Sequence, residues 1–258
     1  MCFNPRPLFP ETARCLSVRS LADMRFNAII AAITLLFAGA PAAQAGTPDS
    51  VKLTYDVTLN GLHIAHMTEQ FEAREGRYRA VSESVPVGLF ALVQRRPARF
   101  VSHGRITAHG LRPDQFEGAR GADDPRRASA EFDWEAQRIT LDHDGQNQSL
   151  ELPGGAQDRL SMMYQFMFLA YDRVSELAFP MTNGRKLDRY RYSVTAEVEI
   201  ATPLGRMSTL HLVKLRDPGD SVTEIWIAPQ HAHLPMRMLV VENGSRYEQL
   251  VTSIEIKP

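Results

Sequence analysis

The sequence predicts a mainly β protein, an antiparallel meander that forms a curved sheet or an open or closed β-barrel wrapped around one apolar helix at about residues 159–172. Two observations predict this architecture. Apolar and polar residues alternate through most of residues 50–258, and short turns separate the alternating runs, which is typical of antiparallel strands that are neighbours in sequence. One stretch departs from this alternation, because residues 160–171 are almost continuously apolar.

The turns between the alternating runs favour hairpins over crossover connections. Asn60-Gly61 and Asn243-Gly244 each separate two such runs, and Asn-Gly is a strong short-range signal for a two-residue hairpin loop. The short spacing leaves no room for the helical crossovers of βαβ units. A sheet of this size must close or protect its edges, which favours a barrel or a strongly curved sheet.

The predicted helix lies in residues 151–172, ELPGGAQDRLSMMYQFMFLAYD. Asp158 is its predicted N-cap, because a carboxylate accepts backbone N–H bonds at the positive end of a helix. The polar residues Ser161, Gln165 and Asp172 fall in one narrow stripe, which we expect to face solvent. Apolar residues cover the rest of the circumference, so the helix must be enclosed on most sides, as a curved sheet can do.

This enclosure leaves two alternatives open. In one, the helix is an ordinary part of the core. In the other, it fills the concave space incompletely and lines a cavity for a hydrophobic ligand, with methionines as adaptable wall residues. The candidate ligand-binding residues of this helix are Met163, Phe166 and Met167.

A second candidate segment is VPVGLFALVQRRPARF, residues 85–100. One interpretation is a short amphipathic helix packed on one end of the barrel, beside a solvated basic surface. The other is a lid over the cavity mouth, whose guanidinium groups bind phosphate or carboxylate head groups. Phe90, Arg95 and Arg96 are the candidate binding residues of this segment.

The N-terminal region predicts export. Met24 begins a short basic segment, which is followed by an apolar run and by the small-residue ending AQA at residues 43–45, typical of a signal-peptide cleavage site. The apolar run is shorter than the roughly 20 residues of a membrane-spanning helix. We therefore expect a signal region over residues 1–45, and a single β-rich periplasmic domain over residues 46–258 without a transmembrane anchor.

Cysteine content and charge argue against two classes of function, which are cysteine-dependent chemistry and nucleic-acid binding. Both cysteines, Cys2 and Cys15, precede the predicted cleavage site, so the exported domain has no cysteine chemistry and folds without disulfides. The chain has 29 basic and 30 acidic residues, and this balance does not indicate a nucleic-acid partner.

A search for catalytic and metal-binding motifs finds no G-x-S-x-G, P-loop, G-x-G-x-x-G or H-E-x-x-H pattern. The close histidine pairs are His63 with His66 and His231 with His233. Prolines on both sides of His231 and His233 indicate a connecting turn. We therefore predict no catalytic residue, no metal site and no cofactor, and a Ser-His-Asp set assembled from distant positions stays open as a hydrolase alternative.

Four segments in order, GLRPDQFEGAR, LPGGAQDRLSMMYQF, TPLGRMSTLHL and EIWIAPQHAHLPMRM, resemble domain of unknown function family 3108, an exported bacterial family. The resemblance covers about residues 51–256. Its most specific pieces are Gln157, Asp158 and Ser161, together with the strand that leads from Trp226 to Arg237. The resemblance implies export and a curved, barrel-like antiparallel sheet, and it implies no activity, substrate or catalytic residue.

These observations predict a non-enzymatic periplasmic protein that binds or carries a hydrophobic or amphiphilic envelope ligand, such as a lipid or an acyl chain. Trp226 and Arg237 complete the candidate binding residues, although a core position for Trp226 and a strand-face position for Arg237 are the simpler alternatives. The alternative function is a structural or assembly partner in cell-envelope or surface-polysaccharide biogenesis, with no ligand cavity. That function requires an exposed apolar patch or sheet edge that binds an envelope protein.

Overall fold

Fifteen β-strands form one sheet in the part of the chain that the structure describes. This computed structural model describes residues 47–93, 96–121, 124, 126–216 and 219–258. The predicted signal region and the candidate residue Arg95 lie outside the described residues. Within them, no helix has the length and apolar character needed to span a membrane.

The first half of the sheet contains eight strands, and the short helix α1 (Phe90–Val93) lies between the third and the fourth. The strands are β1 (Ser50–Leu59), β2 (Leu62–Arg74), β3 (Arg77–Pro86), β4 (Ala98–Thr107), β5 (Gly110–Ala119), β6 (Ala128–Asp133), β7 (Arg138–His143) and β8 (Gln146–Glu151).

The second half contains seven strands, helix α2 (Ser161–Gln165) and two 3₁₀ turns, Phe166–Phe168 and Pro229–His231. The strands are β9 (Gln157–Asp158), β10 (Glu176–Thr182), β11 (Leu187–Thr202), β12 (Gly205–Leu215), β13 (Val222–Ala228), β14 (Leu234–Glu242) and β15 (Ser245–Lys257).

The sheet consists of two meanders that meet at its centre. Its order is β8-β7-β6-β5-β4-β3-β2-β1-β15-β14-β13-β12-β11-β10-β9. The first and last strands pair, from Ser50 opposite Lys257 to Leu59 opposite Tyr247. Neighbouring strands are antiparallel except for the short parallel pair of β9 and β10. The structure therefore confirms the predicted antiparallel meander, in the form of a sheet that strand pairing does not close.

The alternation and the turns form as the sequence predicts. In β1, buried residues recur at every second position, which places Val51, Leu53 and Tyr55 on one face. At the tips of two hairpins, Asn60 and Asn243 adopt positive φ angles of 51° and 50°, and each is followed by a glycine that also has a positive φ. A turn in which two successive residues have positive φ has a backbone twist that matches the right-handed twist of the flanking strands.

Helix α2 lies between the two halves of the curved sheet. Tyr164 belongs to the larger core cluster and stacks on Phe71 of β2, with ring centroids 4.8 Å apart. Phe166 belongs to a second cluster and meets Phe179 of β10 edge-on, with centroids 6.2 Å apart. Both side chains are fully buried. A helix that packs on both halves requires the curvature that the sequence predicts.

The helix is shorter than predicted, because α2 and its 3₁₀ continuation span only residues 161–168. Leu169 is extended, with φ −91° and ψ 143°, so the chain leaves the helix there. The Tyr171 hydroxyl donates a 3.0 Å hydrogen bond to the Phe166 carbonyl. In a longer helix, this carbonyl would accept the backbone N–H of the residue four positions later. The same carbonyl also accepts the Leu169 N–H at 3.5 Å, so two donors bond it where the helix ends.

The prediction that the polar stripe of the helix faces solvent is wrong for two of its three residues. Ser161 and Gln165 are buried, and Asp172 is exposed but lies beyond the end of the helix. Gln165 Oε1 accepts the N–H of Leu111 at 2.7 Å, and its Nε2 donates to the His109 carbonyl at 3.0 Å. Gln165 therefore faces the start of β5, whereas the Ser161 hydroxyl bonds the backbone of Asp158.

Phe166→Ala is expected to lower the free energy of unfolding by about 3–5 kcal/mol, since removal of a fully buried ring leaves a cavity between α2 and β10. The matched control is Leu204→Ala at a hairpin tip, where the side chain is 46% exposed and the expected change is within about 0.5 kcal/mol. Urea denaturation followed by tryptophan fluorescence measures both. Equal effects of the two substitutions would contradict the assignment of Phe166 to the core.

Candidate ligand-binding cavity

The concave side of the sheet holds a cavity of about 630 Å³. Strands of both meanders and the segment that leads into α2 contribute to its wall. Ligand pockets commonly have volumes of about 300–1,000 Å³. The interior of the sheet is therefore incompletely filled, which favours the cavity alternative for the apolar helix.

Much of the cavity wall is apolar and unusually rich in methionine. Five methionines from α2 and from strands of both halves line it: Met67, Met162, Met163, Met181 and Met238. Methionine side chains are unbranched and polarisable, so they adapt to ligands of irregular shape. Such a wall suits a flexible hydrocarbon chain better than a rigid polar molecule.

A buried carboxyl group, that of Glu69, interrupts this apolar wall. Glu69 lies on β2 between the buried residues Met67 and Phe71, so the alternation of the strand directs it inward. Burial raises the pKa of Glu69 to about 7, although a hydrogen bond with the Ser82 side chain and the charge of Arg159 both act to lower it. Near neutral pH, the carboxyl group is therefore divided between its neutral and ionised forms.

Arg159 adds a positive charge to the same wall. It follows β9 directly, and its guanidinium carbon stands 4.6 Å from the ring centroid of Phe100. Arg159 is exposed to solvent in the cavity. Partial desolvation by the surrounding wall lowers the pKa of its guanidinium. Arg159 also borders a second pocket of about 510 Å³ beside β5.

A family model described as "Protein of unknown function (DUF3108)" matches residues 54–250. The chain belongs to this family. The matched range begins within β1, ends within β15 and contains every described residue that lines the cavity. The resemblance found in the sequence is thereby confirmed.

Among solved structures, the chain is similar to the beta-barrel-like protein of domain of unknown function DUF1849 from Brucella abortus. The identity is 10% and the TM-score is 0.55, with 82% of this chain and 99% of that chain covered. At this identity the likeness shows the barrel-like fold alone. A structure of MucB in complex with MucA(peri) also matches, at 12% identity over 80% of this chain and 88% of that chain, but its TM-score is 0.15. No curated protein matches the chain.

In this DUF3108 domain, Asp158 lies at the centre of a buried hydrogen-bond network. Its carboxylate accepts the backbone N–H groups of Leu160 and Ser161, both at 2.8 Å, and the Ser102 hydroxyl at 2.6 Å. The hydroxyls of Tyr78 and Ser102 also hydrogen-bond, at 2.9 Å. Burial raises the pKa of Asp158, and these hydrogen bonds act to lower it. The predicted cap residue thus holds the first turn of α2 against β3 and β4.

Gln157 extends this network to β5. Its Nε2 donates a 2.8 Å hydrogen bond to the Leu111 carbonyl, and Gln165 bonds the N–H of the same residue. Ser161 completes the start of the helix, because its hydroxyl accepts the Asp158 N–H at 2.9 Å. The motif residues Gln157, Asp158 and Ser161 are therefore structural, and they fix the position of Arg159 between them.

Two of the sequence-predicted binding residues, Met163 and Arg237, line the cavity. Arg237 stands 4.5 Å from the Trp226 ring centroid and forms a 2.6 Å ion pair with Glu248. The Glu248 carboxylate therefore neutralises part of the positive charge of Arg237. Trp226 is buried, stacks on His211 at 4.4 Å and does not line the cavity.

The other predicted residues lie elsewhere. Phe166 is in the core, and Met167 and Phe90 are partly buried and pack against the larger core cluster. Arg96 is exposed beside Gly121. None of the described residues of α1 lines the cavity, so the structure gives no support to a lid at this position.

Three polar residues of the cavity wall were not predicted from the sequence: Glu69, Ser82 and Arg159. For Glu69 a signal was available, since a carboxylate at an inward position of an alternating strand is unusual. Arg159 gave no such signal, because it lies in a helix-initiating segment where a charged residue is ordinary.

The stability of the protein is expected to fall by about 3 kcal/mol between the ordinary glutamate pKa near 4.5 and the raised pKa of Glu69 near 7. In this pH window the folded state retains a proton that the unfolded chain has lost, so unfolding becomes more favourable as the pH rises. Glu69→Gln removes this contribution. Urea denaturation across the pH range measures it as the difference between the two proteins.

The control for this prediction is Glu83→Gln, which removes the same charge from an exposed position on β3. It is expected to leave the pH dependence of the wild type unchanged. If Glu69→Gln shows the same pH slope as the wild type, the buried carboxyl group does not titrate near neutrality.

Proposed function

We propose that this protein is a non-enzymatic periplasmic module that binds or carries an amphiphile. The apolar chain of the ligand lies among the methionines, and an anionic head group lies against Arg159. One observation supports this most directly: a cavity of about 630 Å³ in which an apolar wall meets an accessible guanidinium. The signal sequence predicted for residues 24–45 supports the periplasmic location.

The charge arrangement favours an amphiphile over a purely apolar ligand. A hydrocarbon alone would bury the Arg159 guanidinium without providing it with a polar partner, which is costly. A carboxylate or phosphate forms charge-assisted hydrogen bonds with it. When Glu69 is protonated it does not repel an anion, and its O–H is available as a donor.

The composition of the wall favours binding over catalysis. Among the described residues that line the cavity there is no histidine or cysteine, and its charged side chains are those of Glu69, Arg120, Arg159, Lys186, Lys214, Asp220, Arg237 and Glu242. A serine nucleophile requires a base that orients and deprotonates it. Ser82 has the Glu69 carboxyl group as its hydrogen-bond partner, but no imidazole of a Ser-His-Asp arrangement lies in the described wall.

Dodecanoate and dodecanol test the proposal, because they share one chain and differ in head group. The wild type is expected to bind both, with dodecanoate the tighter. Arg159→Gln is expected to lower the affinity for dodecanoate by about tenfold and to leave the affinity for dodecanol nearly unchanged. Displacement of a fluorescent fatty acid at pH 6 measures both affinities. Arg191→Gln is the matched control, since its guanidinium is paired with Glu176 and the residue does not line the cavity.

The pH dependence of the same assay tests the position of the head group. Dodecanoate affinity is expected to fall by roughly fivefold or more as Glu69 ionises between pH 6 and pH 8, because a carboxylate then competes with the ligand for Arg159. Glu69→Gln is expected to abolish this fall. Failure of the wild type to bind either ligand would overturn the proposal.

A second candidate function, an assembly partner in the envelope, is favoured by an exposed apolar patch. Leu89 and Leu92, beside and within α1, are 79% and 69% exposed, and Leu62 and Val85 on the adjoining strands are also exposed. In-cell crosslinking is expected to yield a partner that is lost when Leu89 and Leu92 are both changed to Asp. A crosslinking pattern that this double substitution does not alter would exclude the patch as an interface.

A further inference from the structure

We propose that Asp56, His63 and His66 form a divalent transition-metal site, of the kind that binds Zn²⁺, on the outer side of the β1–β2 hairpin. This site is independent of the cavity. The three side chains offer one carboxylate oxygen and two imidazole nitrogens, and these ligand atoms all lie within 4.8 Å of one another.

The distances suit a single ion. His66 Nδ1 lies 2.8 Å from Asp56 Oδ1, and His63 Nε2 lies 3.5 Å from the same oxygen. Ligand atoms that stand about 2.1 Å from a tetrahedral Zn²⁺ are about 3.4 Å from one another. Small rotations of exposed side chains therefore bring all three atoms to bonding distance without movement of the backbone.

A β-bulge brings the two histidines to the same side of the sheet. In a regular strand, residues separated by three positions point to opposite faces. Here the register of β1 and β2 shifts between Val57 and Thr58, so that Ile64 and Ala65 are both buried and His63 and His66 are both exposed. Bulges re-aim side chains in this way. Asp56 pairs directly with His66, which places the carboxylate beside both rings.

The chemistry of the three groups favours borderline metal ions. Two imidazoles and one carboxylate match the ligands of Zn²⁺, and they are poorer ligands for Ca²⁺ or Mg²⁺, which prefer oxygen alone. Three protein ligands leave a coordination position open to water or to a group from another molecule. His63 Nε2 lies 3.0 Å from the Ala65 carbonyl, so metal binding must replace that hydrogen bond.

Without a metal, the same geometry is an ordinary hydrogen-bonded contact between Asp56 and His66. This contact alone gives no stoichiometric binding of Zn²⁺ or Co²⁺. A metal site binds these ions, and binds them more weakly when any one of the three ligands is removed.

Titration of the untagged full chain with Zn²⁺ by calorimetry, and with Co²⁺ by visible absorption, tests the proposal. His66→Ala and Asp56→Asn are each expected to weaken binding by at least about tenfold. His103→Ala is the matched control, because this histidine lies on β4 and hydrogen-bonds Gln115. It is expected to leave the affinity unchanged. Any contribution from Cys2 and Cys15 is common to all the proteins.

Circular dichroism establishes that each variant is folded before the titration. Stoichiometric binding that is weakened by His66→Ala and Asp56→Asn, and retained by His103→Ala, supports the site. Binding that is equal in all variants, or no binding by the wild type, overturns the proposal and leaves Asp56 and His66 as a hydrogen-bonded pair.

Discussion

The fold depends on the buried hydrogen bonds that attach the start of α2 to the opposite half of the sheet. Strand pairing does not close this sheet, since β8 and β9 are its two edges. Gln157 and Gln165 instead bond both backbone polar groups of Leu111 in β5, and Asp158 receives the Ser102 hydroxyl of β4. These side chains hold the second meander against the first, and the cavity exists because the sheet stays curled around them.

The same network links the fold to the proposed binding chemistry. Arg159 lies between the anchored Asp158 and the first turn of α2, so the hydrogen bonds that fix the start of the helix also fix the backbone from which the Arg159 side chain enters the cavity wall. The alternation of β2 directs Glu69 into the same wall, and its carboxylate, when ionised, offsets part of the positive charge of Arg159. The proposed binding of an anionic amphiphile rests on this cation, on the titratable carboxyl group and on the methionines of the wall.

The sequence predicts the architecture well because alternation and Asn-Gly turns are local signals, and the turns at Asn60 and Asn243 form as expected. It does not predict which polar residues are buried, since that depends on the far half of the sheet. Gln165 was therefore expected to face solvent, whereas it bonds the backbone of β5. The sequence shows His63 and His66 as a close pair, but it does not predict that they share a face, because a bulge reverses the facing that simple alternation predicts.

The most direct test of ligand binding in the cavity is native mass spectrometry of the protein isolated from its own cells without detergent, followed by solvent extraction of any bound molecule. We expect a reproducible additional mass that extracts as an anionic amphiphile and is depleted in the Arg159→Gln variant. A clean mass of the chain alone, unchanged after incubation with envelope lipids, would contradict this expectation and would make the cavity an unoccupied consequence of the curvature.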